Sequence, residues 1–135
     1  MESLFPEGWK APVGYANGLR VPAAGHLVFI AGQVGWNARQ VFESDALVAQ
    51  FDQALANVIA VLERGGGAPH HICRMTCFCV DRQEYLNARR ELGGIWRKHM
   101  GSHYPAMSMI FVSDLLDHPA RIELEATALV PDEMP

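Results

Sequence analysis

Two glutamates in an apolar, alternating segment near the end of the chain are the residues whose types and spacing most directly suggest chemistry. The segment covers residues 122–129 and reads IELEATAL. If it is a strand, Glu123 and Glu125 point to one face and the apolar residues point to the other. Such a carboxylate is either solvated on an open sheet face or positioned as a general base. The alternation alone leaves both interpretations open.

Three cysteines form a second group of residues that could carry chemistry. Cys77 and Cys79 are two positions apart in an apolar stretch and would project from one strand face, and Cys73 precedes them. Their odd number, without a visible secretory leader, favours reduced thiols and a cytoplasmic protein. The spacing of these cysteines and the nearby His70 and His71 matches no zinc pattern, so we expect structural thiols and no metal. A metal site and a reactive thiol are the alternatives.

Size and charge limit the classes of function. The chain has 135 residues, half of them hydrophobic, which fits a single domain over residues 1–135. No apolar run reaches the roughly 20 residues that a membrane helix needs. The net charge is −4 and the basic residues are scattered. We therefore expect neither nucleic acid nor membrane as a partner.

The first third of the chain predicts a β-hairpin that would position the early aromatic residues. Residues 1–14 contain prolines and glycines and predict an irregular lead-in. A short strand is expected at 15–22 and a fully apolar strand at 27–31, joined by a turn. Gly32 and Gly35 should break the second strand. Residues 36–42 should form a loop or a short third strand.

The middle of the chain predicts a long amphipathic helix. Ser44 or Asp45 is a candidate for its N-cap, and residues 65–67, all glycine, should stop it. Apolar residues recur at helical spacing between these points and make one stripe. They are Leu47, Val48, Phe51, Ala54, Leu55, Val58, Ile59 and Leu62.

A strand, a second helix and two more strands should complete the chain. The strand is predicted at 72–80, and Asp81 should cap a helix that runs to about His99. Two glycines at 93–94 lie inside this helix, where glycine is unfavourable. Gly101 should close it. The last two strands are expected at 104–112 and 122–129.

This order of elements predicts an α+β domain with two helices packed on one face of a sheet. The strands at 27–31 and 73–80 are apolar on both sides. The second sheet face should therefore be buried as well, by association with other copies of the chain.

A set of short motifs in a fixed order carries a resemblance to a known family. These are Ala31-Gly32-Gln33, Gln50, Asn57, Gly65-Gly66-Gly67, Pro105-Ala106-x-Ser108 and Ile122-Glu123-Leu124-Glu125-Ala126. Over roughly residues 13–130 the chain resembles the YjgF/RidA family. The resemblance implies a chorismate-mutase-like α+β fold and a homotrimer around a central barrel-like core, with a cleft at each subunit interface. It also implies hydrolysis of reactive enamines or imines, without metal or organic cofactor.

Four residues take roles from this resemblance. Glu123 matches the glutamate that positions water, so it would be the general base, while Glu125 would make a structural pairing. Tyr15 matches a pocket tyrosine, although it could equally anchor the predicted hairpin. Gly32 lies where the backbone must approach a ligand closely, which the absence of a Cβ permits.

Two positions depart from the family pattern. Met107, between Pro105-Ala106 and Ser108, stands where deaminating members have an arginine that clamps the substrate carboxylate. A thioether cannot hold an anion, so the chain resembles a subgroup that lacks this arginine. Ala31 replaces a serine before Gly32. We include Met107, Ser108 and Ala31 among the expected substrate-binding residues.

An arginine elsewhere could supply the missing charge. Arg89 aligns with a pocket asparagine of many members and Arg90 follows it, and helical spacing lets only one of the two face the cleft. The alternative is that both lie on a solvated helix face. Arg74 is a third candidate. Trp36 could form a wall of the pocket, or it could simply pack against its neighbours.

Two functions of different kinds follow from these residues. The first is a hydrolytic deaminase of an enamine or imine, with Glu123 as base. Its substrate would differ from the usual small 2-imino acids, because Met107 makes the inner pocket more apolar. The second is a non-catalytic homotrimer that binds a small metabolite or a partner protein in the same cleft.

Overall fold

The computed structural model describes residues 1–132. Its strands are β1 (Glu2–Leu4), β2 (Gly18–Arg20), β3 (His26–Val34), β4 (Ile72–Cys79), β5 (Ala106–Phe111) and β6 (Ile122–Val130). Its helices are α1 (Leu47–Arg64) and α2 (Arg82–Met100), and a single 3₁₀ turn, Pro69–His71, precedes β4. Neither long helix contains a stretch apolar enough to cross a membrane.

Four of the strands form one mixed sheet in the order β3-β6-β4-β5. Strand β6 runs antiparallel to both of its neighbours, and β4 and β5 are parallel. A parallel pair needs a crossover connection, which α2 supplies between β4 and β5. Both glutamates of the alternating segment therefore lie on an inner strand of the sheet.

Both helices cover the same face of this sheet. The apolar stripe of α1 is buried against it, with Leu55, Val58 and Leu62 fully excluded from solvent. From the sheet, Met75 and Leu124 enter the same core. The predicted α+β arrangement with two long helices on one face is confirmed.

The ends of the helices follow the expected signals with one difference. The carboxylate of Asp81 accepts a hydrogen bond of 3.0 Å from the Glu84 N–H and caps α2. Gly65 ends α1 as predicted. The residue before α1 is Ala46, which has no capping side chain, so the predicted Ser44 or Asp45 cap is wrong. Ser44 Oγ instead accepts from the Ala46 N–H just outside the helix.

The predicted hairpin at 15–31 is wrong. Residues 18–20 pair with residues 2–4 in a separate two-stranded sheet, so the lead-in is not irregular throughout. Strand β3 also does not stop at Gly32, because a bulge between Ile30 and Gln33 lets it continue to Val34. Such a bulge accommodates an extra residue without ending the pairing. The segment 36–42 is a loop.

The sheet face away from the helices, called the open face below, carries uncovered apolar side chains. Phe29 is 74% exposed, Leu27 60% and Ile110 43%. Glu125 lies on the same face, because its directly opposite neighbour on β4 is Thr76, between the buried Met75 and Cys77. Large apolar patches of this kind mark surfaces that associate with another protein surface.

Candidate functional site

Glu123 lies on the open face of the sheet, between two apolar neighbours. Val34 on β3 and Phe78 on β4 are directly opposite it on the two flanking strands. Val34 is buried and Phe78 is half-buried. The carboxylate is therefore shielded on both sides but remains partly accessible.

Gly32 lets the Glu123 carboxylate approach the backbone of β3. A Cβ atom at residue 32 would lie 1.9 Å from Glu123 Oε1 and 2.8 Å from Cδ. No side chain fits at that distance, so only glycine permits this placement. The sequence reasoning expected a close approach at Gly32, and the group that approaches in the structure is the carboxyl of Glu123.

The surroundings of Glu123 favour its protonated form. Partial burial raises the pKa of its carboxyl, and the negative charges of Asp117 and Glu125 raise it further. A base whose pKa is moved toward neutrality accepts a proton from water more effectively than an ordinary glutamate. The geometry and the charge both fit a carboxylate that handles protons.

A second group of residues lines a cavity of about 440 Å³ on the helix side of β5, called the Met107 cavity below. Tyr15, Arg89 and Met107 all border it. The remainder of its wall is largely aromatic and apolar. Tyr85, Leu92, Trp96, Tyr104 and Met109 contribute that part of the wall.

Main-chain pairing places Tyr15 at this cavity. Its neighbour Ala16 forms an isolated parallel bridge to Ala106, and the Ala16 N–H donates to the Pro105 carbonyl at 3.0 Å. This pairing holds the segment beside the start of β5. Tyr15 therefore borders the cavity without belonging to a hairpin.

Met107 and Ser108 point to opposite sides of β5. Met107 lies opposite the fully buried Met75 of β4 and packs against the core. Ser108 lies opposite Thr76 and is exposed on the open face. Met107 and Glu123 are therefore on different faces of the sheet.

Arg89 borders the Met107 cavity and Arg90 does not. Both side chains are exposed, but they differ by about 100° around α2, so only Arg89 points toward the cavity. Within residues 1–132, no carboxylate forms an ion pair with Arg89. A guanidinium beside Met107 is thus available to an anionic ligand.

The other candidate residues lie outside the Met107 cavity. Ala31 and Arg74 border a shallow depression on the open face together with Glu125. Trp36 is half-buried in the loop after β3, where its ring packs against Phe42 with centroids 5.6 Å apart. It contributes to neither the cavity nor the surroundings described for Glu123.

The motif residues Gln50 and Asn57 serve the fold. The side chain of Gln50 is buried, donates to the Ser44 and Pro119 carbonyls, and accepts from the Arg121 N–H at 2.7 Å. Asn57 donates to two carbonyls at the end of β3 and beyond it. These contacts fix the segments that follow β3 and precede β6, which lie at the same end of the sheet.

Sequence reasoning missed the second arginine of the cavity, Arg97. It lies eight residues after Arg89 on α2, with Gly93 halfway between them, and all three border the cavity. Because residues four apart share a helix face, this spacing could have identified it. The sequence indicated the aromatic part of the wall less clearly. Tyr104 lies beyond the end of α2 and reaches the cavity by stacking on Trp96.

The thiols and histidines form no metal centre among the described residues. No group of three or more His, Cys, Asp or Glu side chains in residues 1–132 is placed to hold an ion. Cys77 and Cys79 are buried, and burial raises the pKa of the Cys77 thiol to about 12. A thiol that ionises so reluctantly is a poor nucleophile.

Comparison with known proteins identifies the family. The family model described as Endoribonuclease L-PSP matches residues 9–130. A Yersinia pestis structure from the conserved Rid family, YyfB, superposes with a TM-score of 0.84 at 30% identity and covers 96% of this chain and 98% of that one. A RutC family protein of Haemophilus influenzae is 28% identical over 89% of this chain and 92% of its own length.

One relative has a name that states an activity. The 2-iminobutanoate/2-iminopropanoate deaminase of Dermatophagoides farinae is 24% identical over 121 residues, which cover 88% of each chain. The family model spans nearly the whole chain, and the Rid-family structure shares its fold throughout. The chain therefore belongs to the Endoribonuclease L-PSP family, the YjgF/RidA family that its motifs resemble.

Proposed function

We propose that this protein is a hydrolytic deaminase of a reactive enamine or imine that carries a carboxylate. The observation that carries the proposal is the position of Arg89, which borders the same cavity as Met107 and Tyr15. Family membership supports the reaction class, and one relative bears the name of an imine deaminase.

Arg89 would anchor the substrate from the helix side of the cavity. A guanidinium can hold a carboxylate through two parallel hydrogen bonds, and Arg89 has no such partner among residues 1–132. Met107 and Met109 would then contact the carbon chain. The positive charge here comes from Arg89 on α2, whereas the arginine that Met107 replaces would lie on β5. A substrate larger than the usual small 2-imino acids fits this arrangement.

Glu123 would carry the proton transfers. As base, its carboxylate accepts a proton from water while the water oxygen bonds to the carbon of the protonated imine. The proton then passes from Glu123 to the carbinolamine nitrogen, and the C–N bond breaks as the oxygen forms the C=O bond and the hydroxyl proton passes to the Glu123 carboxylate. The products are a keto acid and ammonia. An enamine must first take a proton at carbon to become the same imine.

The two groups would meet between subunits. Glu123 and Met107 lie on opposite faces of one sheet, so neither group makes a complete site within a chain. Burial of the exposed Phe29 and Leu27 would favour association of the open face with another copy of the chain. In the proposed homotrimer, the open face of one subunit would bring Glu123 to the Met107 cavity of the next.

Subunit complementation tests this proposal. Glu123→Gln and Arg89→Gln, each alone, should lose most deamination of 2-imino acids generated in situ, measured by the semicarbazide that traps unhydrolysed imine. When the two variants are unfolded together and refolded, a mixed trimer contains sites with both native residues. Random mixing should restore about a quarter of the wild-type sites. Arg90→Gln is the matched control and should keep full activity.

The possible results separate the alternatives. Activity of both single variants at the wild-type level would refute the catalytic roles. Inactive single variants with no recovery on mixing would refute the shared site. If the wild-type protein hydrolyses none of the imines offered, the non-catalytic alternative that binds a metabolite in the cavity gains support, since Met107 has replaced the family's arginine.

The name of the family model suggests ribonuclease activity as another candidate, but the charge distribution does not favour it. The chain has a net charge of −4. Binding of RNA usually relies on a basic groove or on exposed aromatic side chains next to basic ones. The Met107 cavity has a volume of about 440 Å³, which suits a metabolite better than a polynucleotide.

A further inference from the structure

The Met107 cavity contains a second cation that the proposed reaction does not need. Arg97 borders the cavity together with Arg89, and both lie on α2. Within residues 1–132 neither guanidinium forms an ion pair or donates a hydrogen bond to another residue. Both side chains are exposed, so water screens their mutual repulsion, and an anionic ligand between them could pair with both.

The guanidinium of Arg97 folds back along α2 toward the position of Arg89. The Cα atoms of Arg89 and Arg97 are eight residues apart on α2, which is roughly 12 Å along the axis. The side chain of Arg97 folds back, so that its Nη1 lies 3.4 Å from the point where a Cβ of Gly93 would be. Its charge is thus about one helical turn from residue 89, roughly 5.4 Å along the axis.

Gly93 keeps the space between the two arginines open. It borders the cavity in the middle of α2, where glycine is less favourable than alanine by about 1 kcal/mol. Apart from Arg97, no atom outside its own stretch of helix comes within 4 Å of a Cβ at this position, so packing does not require glycine. The missing side chain leaves room for a ligand.

The wall between the arginines is apolar. Trp96 stacks on Tyr104 with centroids 5.8 Å apart and nearly parallel rings. The indole N–H of Trp96 already donates to the His103 carbonyl, so its ring presents a hydrocarbon surface. A ligand here would have charged ends and an apolar middle.

We infer that the substrate is an imine or enamine of a dicarboxylic acid, with one carboxylate held by Arg89 and the second by Arg97. This rests on the proposed function for the reaction, but the binding site itself does not depend on it. The arrangement selects against monocarboxylic imino acids, because they leave Arg97 without a partner at the cavity.

Binding of stable keto acids tests the inference without catalysis. 2-Oxoglutarate and 2-oxopentanoate have the same number of carbons and differ by one terminal carboxylate. Calorimetric titration at low ionic strength should show 2-oxoglutarate binding at least about tenfold more tightly to the wild-type protein, because one additional charge-assisted hydrogen bond is worth about that factor. The preference should weaken at high salt.

Matched variants on α2 isolate the role of Arg97. Arg97→Gln should reduce the affinity for 2-oxoglutarate to that for 2-oxopentanoate and leave the latter unchanged. Arg90→Gln removes the same charge from the same helix outside the cavity and should change neither affinity. Gly93→Leu should weaken binding of the dicarboxylate, because the new side chain would occupy the space beside the Arg97 guanidinium.

Several results would overturn the inference. These are equal affinities for the two acids, undetectable binding of both, and equal effects of Arg97→Gln and Arg90→Gln. Failure of the deaminase assay with an intact dicarboxylate preference would refute the proposed reaction and retain the site. Deamination without such a preference would refute the dicarboxylate site and retain the proposed reaction.

Discussion

At the scale of single residues, the contact between Gly32 and Glu123 determines where the carboxylate can be. The oxygen occupies the space that a side chain at residue 32 would need. A nearby glycine, Gly35, also lies close to other atoms, but there the neighbour is the main chain of α1 at Gln50. Gly32 therefore permits the position of the Glu123 carboxylate, and Gly35 permits the close packing of α1.

Alanine substitutions should separate these two roles. Gly32→Ala should displace the flexible Glu123 side chain, with a loss of about 1 kcal/mol or less in the free energy of unfolding and a large loss of deamination. Gly35→Ala places a Cβ 2.4 Å from the Gln50 carbonyl oxygen and should cost about 3 kcal/mol or more, because α1 must move. Urea denaturation and the deaminase assay on both variants would check this. Equal losses of stability would contradict it.

The raised pKa of Glu123 makes a prediction about stability and pH. Its folded pKa lies above the unfolded value, so ionisation of this carboxyl destabilises the fold. The stability that goes with the protonated carboxyl is fully present below the unfolded pKa, which is about 4.3. It is lost as the pH rises through the folded pKa. Glu123→Gln should therefore be more stable than the wild type at neutral pH and equally stable in acid.

The urea midpoints of the wild type and of Glu123→Gln, measured across this pH range, should differ at neutral pH and become equal in acid. Glu63→Gln, the same substitution at an exposed position on α1, is the control and should give a small difference that changes little with pH. A Glu123→Gln variant less stable than the wild type at neutral pH would contradict the prediction.

At the scale of elements, the buried amide of Gln50 joins α1 to the two segments beside it. Gln50→Leu should leave the Arg121 N–H and the Ser44 and Pro119 carbonyls without their partner and cost about 2–4 kcal/mol. Gln83→Leu, on the exposed surface of α2, should change stability by less than about 0.5 kcal/mol. Chemical denaturation of the two variants compares them, and similar losses would argue against the role of Gln50.

The elements that the sequence predicted well are those with long periodic patterns. Helix α1 has an apolar stripe over five turns, and β6 alternates strictly, so both appear close to their predicted bounds. The hairpin prediction failed because β2 has only three residues and pairs with β1, which also has three. Such short strands carry almost no periodic signal. The bulge in β3 concealed the continuation of that strand past Gly32.

The site was harder to predict than the fold, for reasons of register. Alternation along β6 correctly placed Glu123 and Glu125 on one face. It could not show that Met107 points the other way, because that depends on how β5 pairs with β4. The side of α2 that meets the cavity likewise follows from packing, so the choice between Arg89 and Arg90 needed the structure.

At the scale of the whole molecule, the open face leaves large apolar side chains exposed, and the proposed homotrimer would cover them. Phe29→Lys places a charge among these exposed apolar side chains and should convert the protein to monomers, because a lysine cannot be buried there without a partner. Leu116→Lys is the control, since Leu116 is even more exposed, at 92%, but lies in the loop after β5. Sedimentation velocity on the two variants gives the result. A trimeric Phe29→Lys or a monomeric wild type would refute the assembly.

The placement of Glu123 and Met107 on opposite faces has a consequence for how such proteins diverge. Within one subunit a packed core lies between the carboxylate and the side chains of the cavity, so a substitution at Arg89, Arg97 or Met107 leaves the intrasubunit surroundings of Glu123 unchanged. The residues proposed to select the substrate can therefore change without disturbing the packing that positions the proposed base. A lineage built on this fold can exchange one metabolite for another in small steps, without passing through ancestors that have lost their chemistry.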